Sequence, residues 1–506
     1  MDYFLNALPA PILISLAVVI LLALIFWPEK NKRYPPVAGT VLHQLANRRT
    51  LHHYHTELAC KHKTYRILDF FNFKYGVYTS DPANVEHILK TNFGNYGKGS
   101  YVYNLLTDII GDGIFGVDGE KWRHQRKASS SQFSTKVLRD FSSDILKTTA
   151  IKLSGIIHEA ASCDKSIEIQ DLFMKSTLDS IVSFLIGIDL DTMSGTNNEE
   201  EGTQFGDAFD DANGVTLYRL VDIFWRIKRI FNIGTEAVIK KNVKVMDTFI
   251  YNLINRKIET LHKSEQDDGQ PLKRRDFISK LLEAKETDLK YLRDMVLSFI
   301  LAGKDTTASA LSWFFYMMCK YPHIQKKVAD EVREATGLNN TSSDDEVVAN
   351  LTEEALSKMQ YLHAALNETL RLYPTVPMDV RVCFSNDTWP DGFSVKKGEL
   401  VVYQLYSMGR MRYIWGDDAE EFRPERWFDE NGNFQEESPF KFIAFNAGPR
   451  TCLGRDYSYL QMKILSAALL NKYIFKLSDE KKVVKYKTMV TLHISRGLHV
   501  HAFPRV

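Results

Sequence analysis

Residues 4–27, FLNALPAPILISLAVVILLALIFW, form an apolar run of 24 positions without a charge. As a helix this run spans roughly 36 Å, enough to cross a bilayer. Pro9 and Pro11 leave 16 uninterrupted apolar residues, 12–27, so the first turns are expected to be irregular. Beyond the run the pattern becomes that of a folded body. Apolar positions recur at helical spacing over 215–230, 288–321 and 359–373, the last two closed by Pro322 and Pro374. Alternation with a period of two is confined mostly to 64–80, 392–403 and 485–500. This pattern predicts a mainly α body (α+β) with small sheets near both ends. Polar stretches at 194–203, 264–275 and 337–350 read as surface loops too short to separate independent domains.

Of the 506 residues, 44% are hydrophobic and 25% charged, which excludes a disordered chain and a polytopic membrane protein. Sixty-four Lys and Arg against 63 Asp and Glu leave a net charge of +1, too little to hold a phosphate backbone, so no nucleic acid partner is expected. The five cysteines, Cys60, Cys163, Cys319, Cys383 and Cys452, are odd in number and widely spaced. That excludes a disulfide scaffold and paired zinc knuckles. Lys30, Lys32 and Arg33 follow the apolar run and only Asp2 precedes it. This is the reverse of a secretory signal, so an uncleaved single-pass anchor is favoured over a removed peptide, with the body cytosolic. The expected partition is an anchor at 1–28, a Pro-rich connector at 29–41 and one domain at 42–506. Asn339, Asn340, Asn350, Asn367 and Asn386 head Asn-x-Ser/Thr sites that a cytosolic body would leave unmodified.

The densest chemical cluster is residues 445–454, FNAGPRTCLG. Gly448 permits a tight turn and Gly454 a close backbone approach, while the helix expected over 455–471 aims its N-terminal dipole at the Cys452 sulfur. Such a site favours thiolate over thiol, and a thiolate can hold haem iron. A lone cysteine is otherwise usually a small core residue. The decapeptide resembles the F-x-x-G-x-R-x-C-x-G haem signature of the cytochrome P-450 monooxygenases, matched at Phe445, Gly448, Arg450, Cys452 and Gly454. The resemblance implies the cytochrome P-450 fold: a helix-rich haem-thiolate catalytic domain over 42–506. It makes Cys452 the axial ligand of iron protoporphyrin IX, places Phe445 beneath the macrocycle and pairs Arg450 with a propionate.

The apolar helix expected over 288–321 carries Ala-Gly-Lys-Asp-Thr-Thr in its middle, at 302–307. Phe299, Ala302 or Gly303, Thr306 and Ala310 share one face, where small residues let a flat ligand approach and Thr306 presents a hydroxyl. Taken alone, Asp305 and Thr306 read as well as an ion-paired acid and a threonine bonded back to its own helix. The segment is similar to the family's oxygen-activation motif, which implies that Thr306 hydrogen-bonds dioxygen and Asp305 helps relay protons.

Glu368 and Arg371 share a helical face and can pair, ordinarily a weak surface contact. They resemble the family's E-x-x-R, and 422–427, FRPERW, its F-x-P-x-R-F, with Arg426 as third partner and Trp427 replacing phenylalanine. These are structural roles. Trp122 and Arg126 resemble the family's W-x-x-x-R, in which both contact propionates; without the resemblance they read as a surface cation–π patch. Arg381 stands ten residues after Arg371, where many members place a further propionate-binding residue. His52, His53, His55 and His62 offer a metal site or a solvated helix face, and the second is expected. Lys273, Arg274 and Arg275 are expected to be a solvated cluster, whereas Lys121, Arg123 and Lys127 suit the acidic face of a flavoprotein reductase.

Residues 112–126, with 302–307 and 177–182, are similar to plant microsomal members of the fatty-acid ω-hydroxylase clan. The implied reaction inserts one atom of O2 into an unactivated C–H bond of a lipophilic small molecule, most simply a fatty acid at or near its ω end. NADPH supplies electrons through NADPH–cytochrome reductase at the endoplasmic reticulum membrane. A long apolar channel is required, with candidate lining at 101–115 and 217–231 and at Phe299, Val376, Pro377 and Leu492. Phe224, Trp225 and Phe231, interleaved with Arg226, Lys228 and Arg229, suit a segment at the bilayer surface. The same lining would take a sterol or terpenoid. An oxygen-independent haem-thiolate isomerase or dehydratase, or a haem sensor without turnover, are the alternatives of another class.

Overall fold

The computed structural model describes residues 15, 32–69, 74–134, 137, 141–194, 199–216, 219, 222, 224–266, 276–338 and 342–505. Apart from Ser15, the apolar run 4–27 lies outside them, as do Asn339, Asn340 and the 273–275 cluster. Among the described residues no helix is long and apolar enough to cross a membrane.

Helices dominate, as the periodicity predicts. The core is built around one long run in three parts: an α-helix Leu289–Ile300, a π-helical segment Leu301–Asp305 and an α-helix Thr306–Lys320. The Asp288 carboxylate accepts from the Lys290 N–H and caps its start, and Pro322 opens the next helix, Pro322–Thr336, at its first turn. Most side chains of the run are buried, including Met295, Val296, Leu311 and Phe314. A helix apolar all round must be central, and this one packs against helices Ile169–Ile186, Gln360–Leu372 and Arg455–Lys472. The 215–230 prediction is corrected. A helix Glu199–Thr216 ends where that one was expected to begin, and a short helix Trp225–Phe231 follows.

The sheets unite distant parts of the chain. Strands Val37–Thr40, Thr64–Asp69, Lys74–Thr79, Leu400–Tyr403, Asp379–Cys383 and Tyr96–Gly97 form a six-stranded sheet in that spatial order. Lys74–Thr79 pairs in parallel with Leu400–Tyr403, a register that alternation alone does not specify. Tyr473–Leu477, His499–Pro504 and Ile167–Glu168 make a three-stranded sheet. Residues 33–36 are tied to the body: the Pro35 and Pro36 carbonyls accept from Arg66, and the Arg33 carbonyl from the Ser394 N–H.

The histidine cluster is a solvated face only in part, with His53 and His62 exposed. His52 and His55 are buried, and their helix Leu51–Lys61 packs them against Tyr65, Tyr78, Tyr406 and Tyr486. Burial drives both imidazoles down to about 3, so they are neutral.

Candidate active site

The cysteine loop is a strained turn held from behind. Asn446 and Gly448 both have positive φ, and a Cβ on Gly448 would lie 2.0 Å from the Leu89 carbonyl oxygen, so only glycine fits. The Cys452 N–H donates to the Phe445 carbonyl at 2.8 Å, closing the loop. Gly454 is the N-cap of helix Arg455–Lys472 and no side chain caps it, leaving N–H groups free to face the sulfur. A Cβ on Gly454 would meet Cys452 Sγ at 3.9 Å, an ordinary contact, so the closest approach lies at Gly448 and not at Gly454. Burial pushes the Cys452 thiol up, and the Gly454 N–H and the Arg126 charge only partly oppose this. The helix N-terminus therefore favours the thiolate, as expected from the sequence, without by itself outweighing burial.

Cys452 opens onto a cavity of about 510 Å³. Its sulfur is accessible although protein surrounds it, as a side chain facing an internal space must be. Around the cavity stand Phe445, Gly454, Trp122, Arg126, Arg381, Arg450, Ala302, Gly303, Thr306, Phe299, Val376 and Pro377, drawn from segments up to 332 residues apart. Gly448 supports the loop from outside, and Leu492 is a core residue whose carbonyl accepts from Ser309 Oγ at 2.7 Å and Trp313 Nε1 at 2.6 Å. Residues 488–491 take its expected place in the cavity wall.

One end of the cavity is cationic. Lys98 Nζ and Arg381 Nη1 each lie 2.7 Å from the Asp379 carboxylate, Tyr403 donates to the same group, and Arg450 Nη2 lies 2.6 Å from Asp118. The Arg450 guanidinium also stacks 4.6 Å from the Trp122 ring centre. Arg126 makes no ion pair among the described residues. Four cations thus face two carboxylates, and Arg381 Nε and Arg450 Nε are buried without partners. Burial, with Arg381 close by, lowers Lys98 to about 8 and Arg450 to about 10 despite their acidic partners. Lys98, Asp379 and Tyr403 belong to no motif; only the fold brings them here.

On the facing wall, the π-helical segment 301–305 interrupts the expected continuous helix. The wider turn releases backbone carbonyls, which find side-chain donors: Thr177 Oγ1 donates to the Lys304 carbonyl at 3.0 Å and Thr306 Oγ1 to that of Ala302. The Thr306 hydroxyl is therefore turned back onto its own helix, at a residue that borders the cavity. A Cβ on Gly303 would meet Ile181 at 2.8 Å, so this glycine also admits the neighbouring helix. Asp305 points away from the cavity. Its carboxylate takes Asn213 Nδ2 at 2.6 Å and Lys304 Nζ at 3.1 Å, with His493 Nε2 at 3.9 Å, and Lys304 bridges onward to Asp210. Burial alone would raise Asp305, but Lys304, His493 and Asn213 outweigh it and hold the carboxyl below its usual range.

Behind the cysteine loop, Glu368 and Arg371 are fully buried and joined by two 2.8 Å bonds. Arg426 Nε lies 2.9 Å from Glu368, and Trp427 Nε1 donates to it at 3.2 Å. The Arg423 N–H also donates to it at 2.9 Å, so the tryptophan that replaces phenylalanine is a fourth polar partner of the buried acid.

A family model described as Cytochrome P450 matches residues 33–500. The chain belongs to the cytochrome P450 family. Cytochrome P450 704C1 of Pinus taeda is 47% identical over 495 residues, 95% of this chain and 94% of that protein. Cytochrome P450 704B1 of Arabidopsis thaliana is 38% identical, covering 94% and 95%. Cytochrome P450 94A1 of Vicia sativa is 36% identical, covering 79% and 76%. As a cytochrome P450 the chain is a monooxygenase, and the family implies haem, dioxygen, a hydrophobic substrate and a redox-partner reductase. The site fits haem on two counts. An accessible sulfur stands inside the protein, and an excess of two cations, three of the four with buried side chains, matches the two propionates.

Proposed function

We propose that this cytochrome P450 hydroxylates a long-chain fatty acid at or near its ω end, with NADPH-derived electrons delivered by NADPH–cytochrome reductase. The observation that carries the reading is the cavity: it joins Cys452 and Thr306 to a wall rich in Phe299, Val102, Leu105, Ile114 and Val376. Bound haem would supply the redox centre at which one oxygen atom enters the C–H bond and the other leaves as water. Cys452 would hold the iron, Phe445 would pack against the bound group, and Trp122, Arg126, Arg381 and Arg450, with Lys98, would take the propionates. Thr306, once released from the Ala302 carbonyl, holds a proton at the oxygen-binding position. Asp305, ionised in its network with Lys304 and Asp210, is the carboxylate that relays that proton once its side chain turns toward the cavity. Glu368, Arg371 and Arg426 brace the cysteine loop.

The domain at 42–506 is held at the endoplasmic reticulum membrane by the 1–28 anchor and the 29–41 connector, facing the cytosol. Supporting this, Phe224, Ile230 and Phe231 are 55%, 78% and 68% exposed beside Arg226, Lys228 and Arg229, an apolar and basic surface suited to lipid. Exposed Lys127 suits the reductase, whereas Lys121 and Arg123 are already paired, with Asp112 and Glu120.

The reading is tested by incubating membranes carrying the protein and a plant reductase with NADPH and a panel of fatty acids, sterols and terpenoids. Mass spectrometry then locates the added oxygen. Terminal or near-terminal hydroxylation of an acyl chain is expected; oxygen only on a polycyclic lipid would discard the substrate class. NADPH use independent of substrate and reductase would discard monooxygenation. Thr306→Ala should lower product by on the order of 10²-fold while peroxide release per NADPH rises and substrate affinity holds. Unchanged coupling would remove the role. Lys98→Met should speed haem loss to an acceptor protein about tenfold through one lost charge-assisted contact; an unchanged rate would exclude Lys98 from the propionate site.

A further inference from the structure

A second part of the cavity wall is polar in a different way. It is built by helices Val41–Ala46 and Leu51–Lys61, the bend between them and residues 488–491. These helices pack with Tyr65 and Ile67 in a core cluster of their own, separate from the large core that contains the helix after Cys452. His52 lies here. It is 2% exposed, and neither ring nitrogen has a partner. Its main chain is satisfied, the N–H by Tyr486 OH at 3.1 Å and the carbonyl by Thr56 Oγ1 at 2.7 Å. His55, one turn on, bonds Gln44 Nε2 at 3.0 Å and Tyr65 OH at 2.8 Å through its two nitrogens. The vacancy is therefore specific to His52, and a buried imidazole left without any partner is costly.

Arg48 borders the same space. It is exposed and makes no ion pair among the described residues, although its carbonyl is fixed by Thr488 Oγ1 at 2.8 Å. One unpaired guanidinium at the rim and one unpartnered neutral imidazole just inside suit a planar monoanion at the end of an apolar molecule. A sterol hydroxyl would use the imidazole and leave the guanidinium idle.

We infer that Arg48 and His52 form the subsite that binds the carboxylate of the acyl substrate, Arg48 by charge and His52 by a ring N–H. The inference rests on the fatty-acid reading above and deepens it. A carboxylate held there leaves the far end of the chain to reach toward Cys452, so this subsite sets the position of hydroxylation.

The test compares the haem-loaded full chain with Arg48→Gln and His52→Leu. Calorimetric dissociation constants are measured for a long-chain saturated fatty acid and for its methyl ester, and the position of the product hydroxyl is mapped. Each variant should weaken the acid about tenfold and the ester less than twofold, and spread hydroxylation over several carbons. Arg48 is exposed and removing an unpartnered imidazole relieves a cost, so both variants should fold; matching unfolding temperatures verify it. If the wild type binds and hydroxylates the acid but both variants keep its affinity and position, or weaken acid and ester equally, the anchor is wrong and the substrate class stands. If the wild type binds no fatty acid but oxidises a polycyclic lipid, the substrate reading fails and the anchor with it.

Discussion

Arg371→Ala is expected to yield a chain that does not accumulate with haem. The substitution removes both bonds to Glu368 and strips the Gly409, Ala419 and Glu421 carbonyls of their donor, all at a fully buried site. Arg426 and Trp427 still reach Glu368, but one buried charge is left under-compensated and three carbonyls lose a hydrogen-bond partner. Breaking a buried pair from one side costs about 3–5 kcal/mol, a large part of the stability of an ordinary domain. Arg371→Lys should rescue little, because an ammonium cannot hold a carboxylate through two bonds and reach three carbonyls at once. Haem-to-protein ratio and thermal unfolding of the purified variant check this; wild-type values in both would show that the cluster is dispensable.

Cys452→Ser is expected to abolish turnover outright. The substitution changes one atom in a loop whose shape rests on Gly448 and on the Cys452 N–H bond to Phe445, so the fold should survive. The cationic end should retain some haem, through Lys98, Arg381 and Arg450. What disappears is the soft thiolate donor and its electron density. The ferrous carbon monoxide complex should lose the thiolate signature and product formation should fall to background. A variant that keeps the signature would remove Cys452 as ligand.

Much of this protein is legible without coordinates where the physics is local. The helical run through 288–321 is readable because an apolar stretch of that length at helical period has one good structure, and the cysteine loop because glycine, proline and cysteine each constrain their own few residues. The interruption at 301–305 was not legible, and one of its carbonyls is met by Thr177, on a helix more than a hundred residues away. Asp305 shows the same limit. Its side chain turns toward Asn213, Lys304 and His493, partners from three segments, so its orientation follows packing rather than the identity of its neighbour Thr306.

Two of the four histidines illustrate the reverse error. Their polarity suggests a wet surface, but His52 and His55 are buried among tyrosines of Thr64–Asp69, Lys74–Thr79 and the C-terminal hairpin. A histidine with hydrogen-bond partners or an aromatic stack tolerates burial by staying neutral, and composition does not reveal whether such partners will arrive.

The sequence by itself determined the helix-rich class through its apolar period, and the cysteine loop, the oxygen-side motif and the Glu368–Arg371 spacing because each of these three is encoded within about a dozen consecutive residues. Tertiary structure decided which charges meet. It brought Lys98 and Tyr403 to Asp379, turned Asp305 from the cavity, replaced Leu492 by residues 488–491 in its wall and left His52 without a partner. Those outcomes depend on parallel strand pairing and helix packing between segments hundreds of residues apart, where chain connectivity sets no register and only the summed fit of the whole core does.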